Sequence, residues 1–580
     1  MLSKDISRAT EMLFSERKDF IIIGLTGRTG SGCTTVAKLL SQTFEELSPP
    51  NPKYNDFNNN EERKYQIVYN FAKQQWKNFK IIALRNIITS FLLEHNFEQF
   101  AGFLRQLVGN EKYGLLIRVL ETEIKDYFDD HHSRRVKIQE DLKQTEASLD
   151  NEELYNFYFT DIPLFTQKLI ETLDRIEAGL FTFLYQKIGN NVRTSGKPFE
   201  SEFNPQNIFR LSQRTNKLIK VLRKQNLKKK GRVLVVIDAL RNPYEATFFK
   251  DRYSAFYLFS VHTDDEIRIK RLVNKGFNIG EICALDNQEY PEKQLGINKF
   301  ASQNIQKCTE LADIHLYNPT IGTTDFSFLK KQLVKYISLI MHPGLVTPTH
   351  IERCMQIANI AKLNSGCLSR QVGAVATDKD FAIKSVGWNT TPEGQTPCNL
   401  RNLCSLLKND DSEAFSSFEL DNDEYSKFLS SKLAGKVDES ILNGRILSYC
   451  FKDSYNAFDD HKKQLPTRSK NQVHTRSLHA EENAFLQLAK YGGDGIKGGI
   501  LFTTASPCEL CSKKSYQLGI KTIYYIDPYP GISADHILKC GKQQPQMKLF
   551  YGAKGEAFMK LYTPIIPYKD ELYMLLDFDF

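Results

Sequence analysis

The 580-residue sequence predicts an α/β protein in two parts, and three observations carry that reading. Near the start, an apolar run leads straight into a glycine-rich loop and then a helical pattern. A continuous apolar run at 233–237 and a largely apolar one at 255–261 follow, the kind a parallel sheet buries on both faces. After Pro343-Gly344 the pattern restarts as helix, hairpin, helix, strand and helix, with His479 and Glu481 at the second helix and Cys508 and Cys511 at the last.

Composition narrows the class. A chain this long needs two or three cores, and 41% hydrophobic with 25% charged residues is the balance of an ordinary soluble protein. Seventy-seven Lys and Arg against 69 Asp and Glu leave a net charge of +8, too mild to mark a nucleic-acid surface. Lys4, Asp5, Arg8 and Glu11 argue against a signal peptide. No window offers the ~20 uncharged apolar residues of a membrane span. Eleven scattered cysteines fit reduced thiols, so the expectation is a cytoplasmic protein with no membrane partner.

Taken in order, residues 19–26 form a short strand that runs into Gly27-Arg28-Thr29-Gly30-Ser31-Gly32-Cys33-Thr34-Thr35 and then a helix. Strand, glycine loop and helix in that order make a phosphate-binding loop: the N–H groups of Gly27, Gly30, Ser31, Gly32, Cys33, Thr34 and Thr35 are placed to converge on an anion at a helix N-terminus. The pattern requires Lys where Cys33 stands, and that Lys offsets charge during phosphoryl transfer. Three readings stay open. The loop binds a nucleotide (with or without Mg²⁺) without transferring phosphate, it works as a kinase with Arg28 partly in the lysine's place, or it is a structural relic.

From about 49 to 227 the chain is rich in Lys, Glu, Asn and Gln, with apolar residues at helical spacing as in 81–91 and 164–184. This predicts a mostly helical insertion with no chemical motif. The strand at 233–238 ends in Asp238, where a Mg²⁺-coordinating acid of a nucleotide fold would lie; an Asp that caps the next turn is the alternative. A strand at 255–261, a helix from 264, a strand at 312–318 and a helix at 328–341 follow. Arg268 and Arg271 read equally as phosphate contacts or as a solvated helix face.

The second part opens with an amphipathic helix at 351–363, then strands at 370–377 and 382–388 around the turn Asp378-Lys379-Asp380. His479-Ala480-Glu481 and Pro507-Cys508-Glu509-Leu510-Cys511 flank a strand at 499–503. Two thiolates and an imidazole suit Zn²⁺ with a fourth position left for water, which the metal renders acidic near neutral pH. Glu481, two residues past His479, can then carry the water's proton to a leaving amine. No Cys follows Cys511 until Cys540, which argues against a closed structural site. Cys398, Cys404 and His474 read either as a second, structural zinc site or as ordinary residues.

Residues 19–340 resemble the P-loop nucleoside and nucleotide kinases in the glycine loop, the Val235-Val236-Ile237-Asp238 strand and the Ala312-Asp313-Ile314-His315-Leu316-Tyr317-Asn318 segment. Residues 347–580 resemble the cytidine deaminase superfamily, and within it deoxycytidylate deaminase, in the zinc motif, Arg370-Gln371-Val372-Gly373-Ala374 and the loop from Gly387 to Gly394. That resemblance implies an α/β/α sandwich and makes Asn389 a substrate contact; Trp388 and Thr390 depart from the family's loop. The combination resembles the bacterial anti-phage deoxycytidine nucleotide deaminases. It implies conversion of dCTP, and of dCMP as a further substrate, to the deoxyuridine nucleotide, which depletes a pool a phage needs. It also implies a homo-oligomer and control by a regulatory nucleotide, a phage-derived signal or an inhibitory RNA. Two other readings stay open, a deaminase of DNA or RNA and a nucleotide-sensing switch acting through a partner.

Overall fold

Every position of Phe20–Thr26 (β1) beyond the first is buried, so this strand needs cover on both faces. In this computed structural model the described residues are 2–143, 152–228, 231–290, 296–320, 325–433, 442–464, 473–492, 495–528 and 532–576. The chain divides into two compact units, Met1–Thr347 with Tyr551–Phe580, and Pro348–Phe550.

In the first unit β1 is the centre of a parallel sheet. It pairs with Val233–Asp238 (β3) on one side and Phe256–His262 (β4) on the other. Lys80–Ala83 (β2) adds to β3, and Ile314–Tyr317 (β5) adds to β4. Side chains alternate between faces along a strand, and the two cores follow that alternation. Ile22, Val235 and Leu258 face one core, built largely from the helices between β2 and β3 and containing Phe91, Phe100, Phe128 and Phe165. Ile21, Ile23, Val236 and Phe259 face the other, with Val36, Leu40 and the Ser327–Met341 helix.

The expected helical insertion is therefore interrupted. Residues 81–91, read as one helical stretch, split into β2 and the Leu84–Leu92 helix. Tertiary pairing to β3 draws the first few residues into the sheet.

The second unit holds a five-stranded sheet. Gly373–Thr377 (β6) and Ile383–Trp388 (β7) form the hairpin, and β6 also pairs antiparallel with Ile500–Ala505 (β8). Thr522–Asp527 (β9) and Gln546–Leu549 (β10) continue in parallel. The His350–Ala361 helix covers one face through Cys354, Met355 and Ala358. Ala480 and Phe485 of the Ala480–Tyr491 helix cover the other. This matches the sandwich expected. The segment between β7 and that helix carries a small core of its own around Leu406, Phe415, Tyr425 and Tyr449, with the buried pair Arg401–Glu419 inside it.

The boundary expected at residue 580 moves. Gly552–Ala553 (β11) pairs antiparallel with β5, and Ala557 and Leu561 join the core of the first unit. The second unit ends at Phe550. Among the described residues no helix is long and apolar enough to cross a membrane.

Candidate active site

Gly387 on β7 lets the Ala480–Tyr491 helix lie directly on the strand: a Cβ there would sit 2.2 Å from the Ala480 carbonyl oxygen and 2.4 Å from the Ala484 nitrogen. That helix starts immediately after His479, its N-terminal capping residue. Asn483, in its first turn, donates to the Trp388 carbonyl at 2.9 Å and holds the helix to the end of β7. Across β8, Cys508 caps the Glu509–Gln517 helix, which carries Cys511. Glu482 pairs with Lys514 and so ties the two helices together.

The three expected ligands meet. His479 Nδ1 lies 3.2 Å from Cys508 Sγ and 3.5 Å from Cys511 Sγ, and the three ligand atoms all lie within 4.8 Å of one another. Bond lengths to zinc of about 2.0–2.1 Å for nitrogen and about 2.3 Å for sulfur require ligand atoms spaced in this way. The charge state suits a cation too. The Cys511 thiol, backed by His479, draws Cys508 down to about 4, so a thiolate is present at neutral pH. Cys511, hydrogen-bonded to that thiolate and buried, is raised in turn. The donor set fits zinc.

Glu481 points into the same space. It is 4% exposed, burial raises its carboxyl above the ordinary value, and Thr503 Oγ1 lies 3.4 Å from its Oε1. A cavity of about 180 Å³ opens in front of it, bordered by His479, Cys508, Asn389, Lys452, Thr475 and Ser477. Lys452 comes from the segment inserted after β7, and its place at the cavity had no local signal in the sequence.

Asn389 is at the cavity wall, but its amide is engaged with the protein. Its Oδ1 accepts the Val372 N–H at 2.7 Å and its Nδ2 donates to the Arg370 carbonyl at 2.6 Å. It braces the entry to β6. The second structural site is not assembled among the described residues, where His479, Cys508 and Cys511 form the one metal-ligating group found. Cys398 is buried beside Cys450, and His474 packs on Tyr455 with ring centroids 4.5 Å apart.

The glycine-loop residues also come together, in the first unit. Gly27, Gly30, Ser31 and Gly32 link β1 to the Cys33–Leu40 helix, whose first turn holds Thr34 and Thr35. Gly32 has φ 114° and lies against Asn318, so a side chain there is excluded twice. Thr34 Oγ1 donates to Asp238 Oδ2 at 2.9 Å. Cys33 is buried, and burial pushes its thiol up to about 12, so position 33 is uncharged. Arg271 is not on a solvated face: it donates to the carbonyls of Gly30, Ser31 and Asn318 at 3.0, 3.2 and 3.0 Å. Arg268 is 2% exposed and pairs with Asp286 at 2.7 Å.

Two cysteines, a histidine and a buried carboxylate meet beside one cavity, a donor set that suits a catalytic zinc site. Residues 348–527 match the family described as the cytidine and deoxycytidylate deaminase zinc-binding region. The deoxycytidylate deaminase of Enterobacteria phage T2 is 29% identical over 179 residues, 30% of this chain and 78% of that protein. The enzyme of the same name from Enterobacteria phage T4 is 29% identical over 179 residues, 30% of this chain and 76% of that one. Among solved structures, the dCMP deaminase of cyanophage S-TIM5 in complex with dCMP and dUMP is 23% identical, spans 34% of this chain and 95% of that chain, and has a TM-score of 0.20.

Proposed function

We propose that the second unit hydrolyses the 4-amino group of deoxycytidine nucleotides, giving the deoxyuridine nucleotide and ammonia. The observation that carries this is Glu481, buried 2 residues from a ligand histidine and facing a cavity that also presents Lys452. Zinc held by His479, Cys508 and Cys511 would supply Lewis acidity that makes water nucleophilic near neutral pH. Glu481 takes the proton from the attacking water and delivers it to the departing amine; its raised pKa suits a group that must hold a proton between those two steps. Thr503 orients the carboxylate. Lys452, Thr475 and Ser477 offer one cation and two hydroxyls to a phosphate, which favours a nucleotide over a free base.

Our reading of the substrate is dCTP, with dCMP as the second. The first unit then serves as a nucleotide-binding P-loop domain that governs the second, and the reaction drains the cytosine deoxynucleotide pool in defence against phage. Eleven unpaired cysteines support a cytoplasmic setting. The test is ammonia release by the zinc-loaded chain from dCTP, dCMP, CTP and single-stranded DNA. Turnover confined to the free deoxynucleotides is expected; turnover of the DNA alone would overturn the substrate assignment.

A further inference from the structure

The glycine loop already holds an anion, and it is the protein's own. Glu289 ends the Ile279–Glu289 helix and has no exposure at all. Its Oε1 accepts the Thr29 backbone N–H at 3.1 Å. The same oxygen takes the Thr29 hydroxyl and the Arg241 guanidinium. A backbone N–H, a hydroxyl and a guanidinium therefore converge on one point between Gly27 and Gly30, the arrangement that binds a phosphate oxygen.

Arg241 matters because of what position 33 lacks. Cys33 is a neutral thiol where a phosphate-binding loop carries Lys. Arg241 follows Asp238 by three residues, and its charge acts on the Cys33 thiol against the effect of burial. Beside it, Asp238 is 5% exposed, and its Oδ1 has no hydrogen-bond partner among the described residues. A buried carboxylate oxygen in that condition, with Thr34 on its other oxygen, is a seat for a divalent cation.

We propose that Arg241 is the phosphate-binding cation of this loop, and that Glu289 is a stand-in anion that a nucleoside triphosphate with its Mg²⁺ displaces. This rests on the reading of the first unit as nucleotide-binding. Phosphate and Glu289 carry like charge and compete for the same donors, so they exclude each other. Displacement also reaches further than the loop. Arg28 bridges Asp265 and Asp286 at 2.6 and 2.7 Å, so both the Asp265–Val273 helix and the Ile279–Glu289 helix are tied to the loop that Glu289 leaves.

The experiment is titration calorimetry of the full zinc-loaded chain with ATP·Mg²⁺ and GTP·Mg²⁺. Glu289→Gln keeps an acceptor for Thr29 and removes the competing charge, and it should bind at least tenfold more tightly than wild type. Arg241→Gln should bind at least tenfold more weakly. Wild-type binding that neither substitution shifts overturns the proposal and leaves the nucleotide-binding reading standing. No binding by wild type or by Glu289→Gln overturns both. Hydrogen exchange of the unaltered chain provides a check that does not depend on a variant folding. With ATP·Mg²⁺, residues 279–289 should exchange faster while residues 27–34 are protected; protection of both segments overturns the displacement.

Discussion

Gly387 and Ala480 touch backbone to backbone, with space for no more than a hydrogen between them. The residue after His479 is thus located by a glycine 93 positions earlier. Gly387→Ala should shift the Ala480–Tyr491 helix and cost about 1–3 kcal/mol, as overpacking does. Zinc content per chain, measured by atomic absorption, should fall with the melting temperature. Full zinc occupancy and an unchanged melting temperature would refute the close approach as a constraint.

Glu481→Ala removes the proton carrier without touching a ligand. Zinc content and fold should be retained while turnover drops by about two to four orders of magnitude. The measurement is ammonia release at saturating substrate.

Cys508→Ala removes the ligand that also supplies the thiolate. The chain should then purify with less than stoichiometric zinc and no turnover, and added zinc should not restore either. Activity recovered on zinc addition would place the metal elsewhere.

Lys452→Ala separates phosphate recognition from chemistry. A hydrogen bond to a charged group is worth about 1.5–3 kcal/mol, so KM for dCMP or dCTP should rise about 10- to 100-fold. KM for deoxycytidine should stay put. An equal rise for the nucleoside would move Lys452 from the phosphate to the base.

Arg401 and Glu419 lie 0% and 1% exposed, in the small core between β7 and the Ala480–Tyr491 helix. Glu419→Ala leaves the guanidinium buried without its carboxylate, and breaking such a pair costs about 3–5 kcal/mol. Thermal unfolding should show the loss.

How much of this was legible in the sequence depended on how local each signal is. His479, Glu481, Cys508 and Cys511 sit at fixed short spacings on a helix start and a helix turn, so the sequence alone singles them out, and the ligand atoms of His479, Cys508 and Cys511 lie within 4.8 Å of one another. Lys452 reaches the cavity from a segment whose own helices carry no chemical pattern, and Lys514 meets Glu482 across two helices. Neither pairing has a periodicity to find. The apolar run at 81–91 satisfies a strand or a helix equally over its first residues, and only pairing with β3 decides. The hydrogen bonds of Asn389 to Arg370 and Val372 had no local signal, because they depend on how β6 and β7 meet.

Because β11 and Leu561 return to the first unit after residue 550, the second unit interrupts the first rather than following it. A protein cut at residue 347 leaves β5 as an open edge, the kind of strand that recruits other chains. On the ribosome the order of maturation is inverted: the unit begun first is finished last, and its sheet stays open until the second unit has been made.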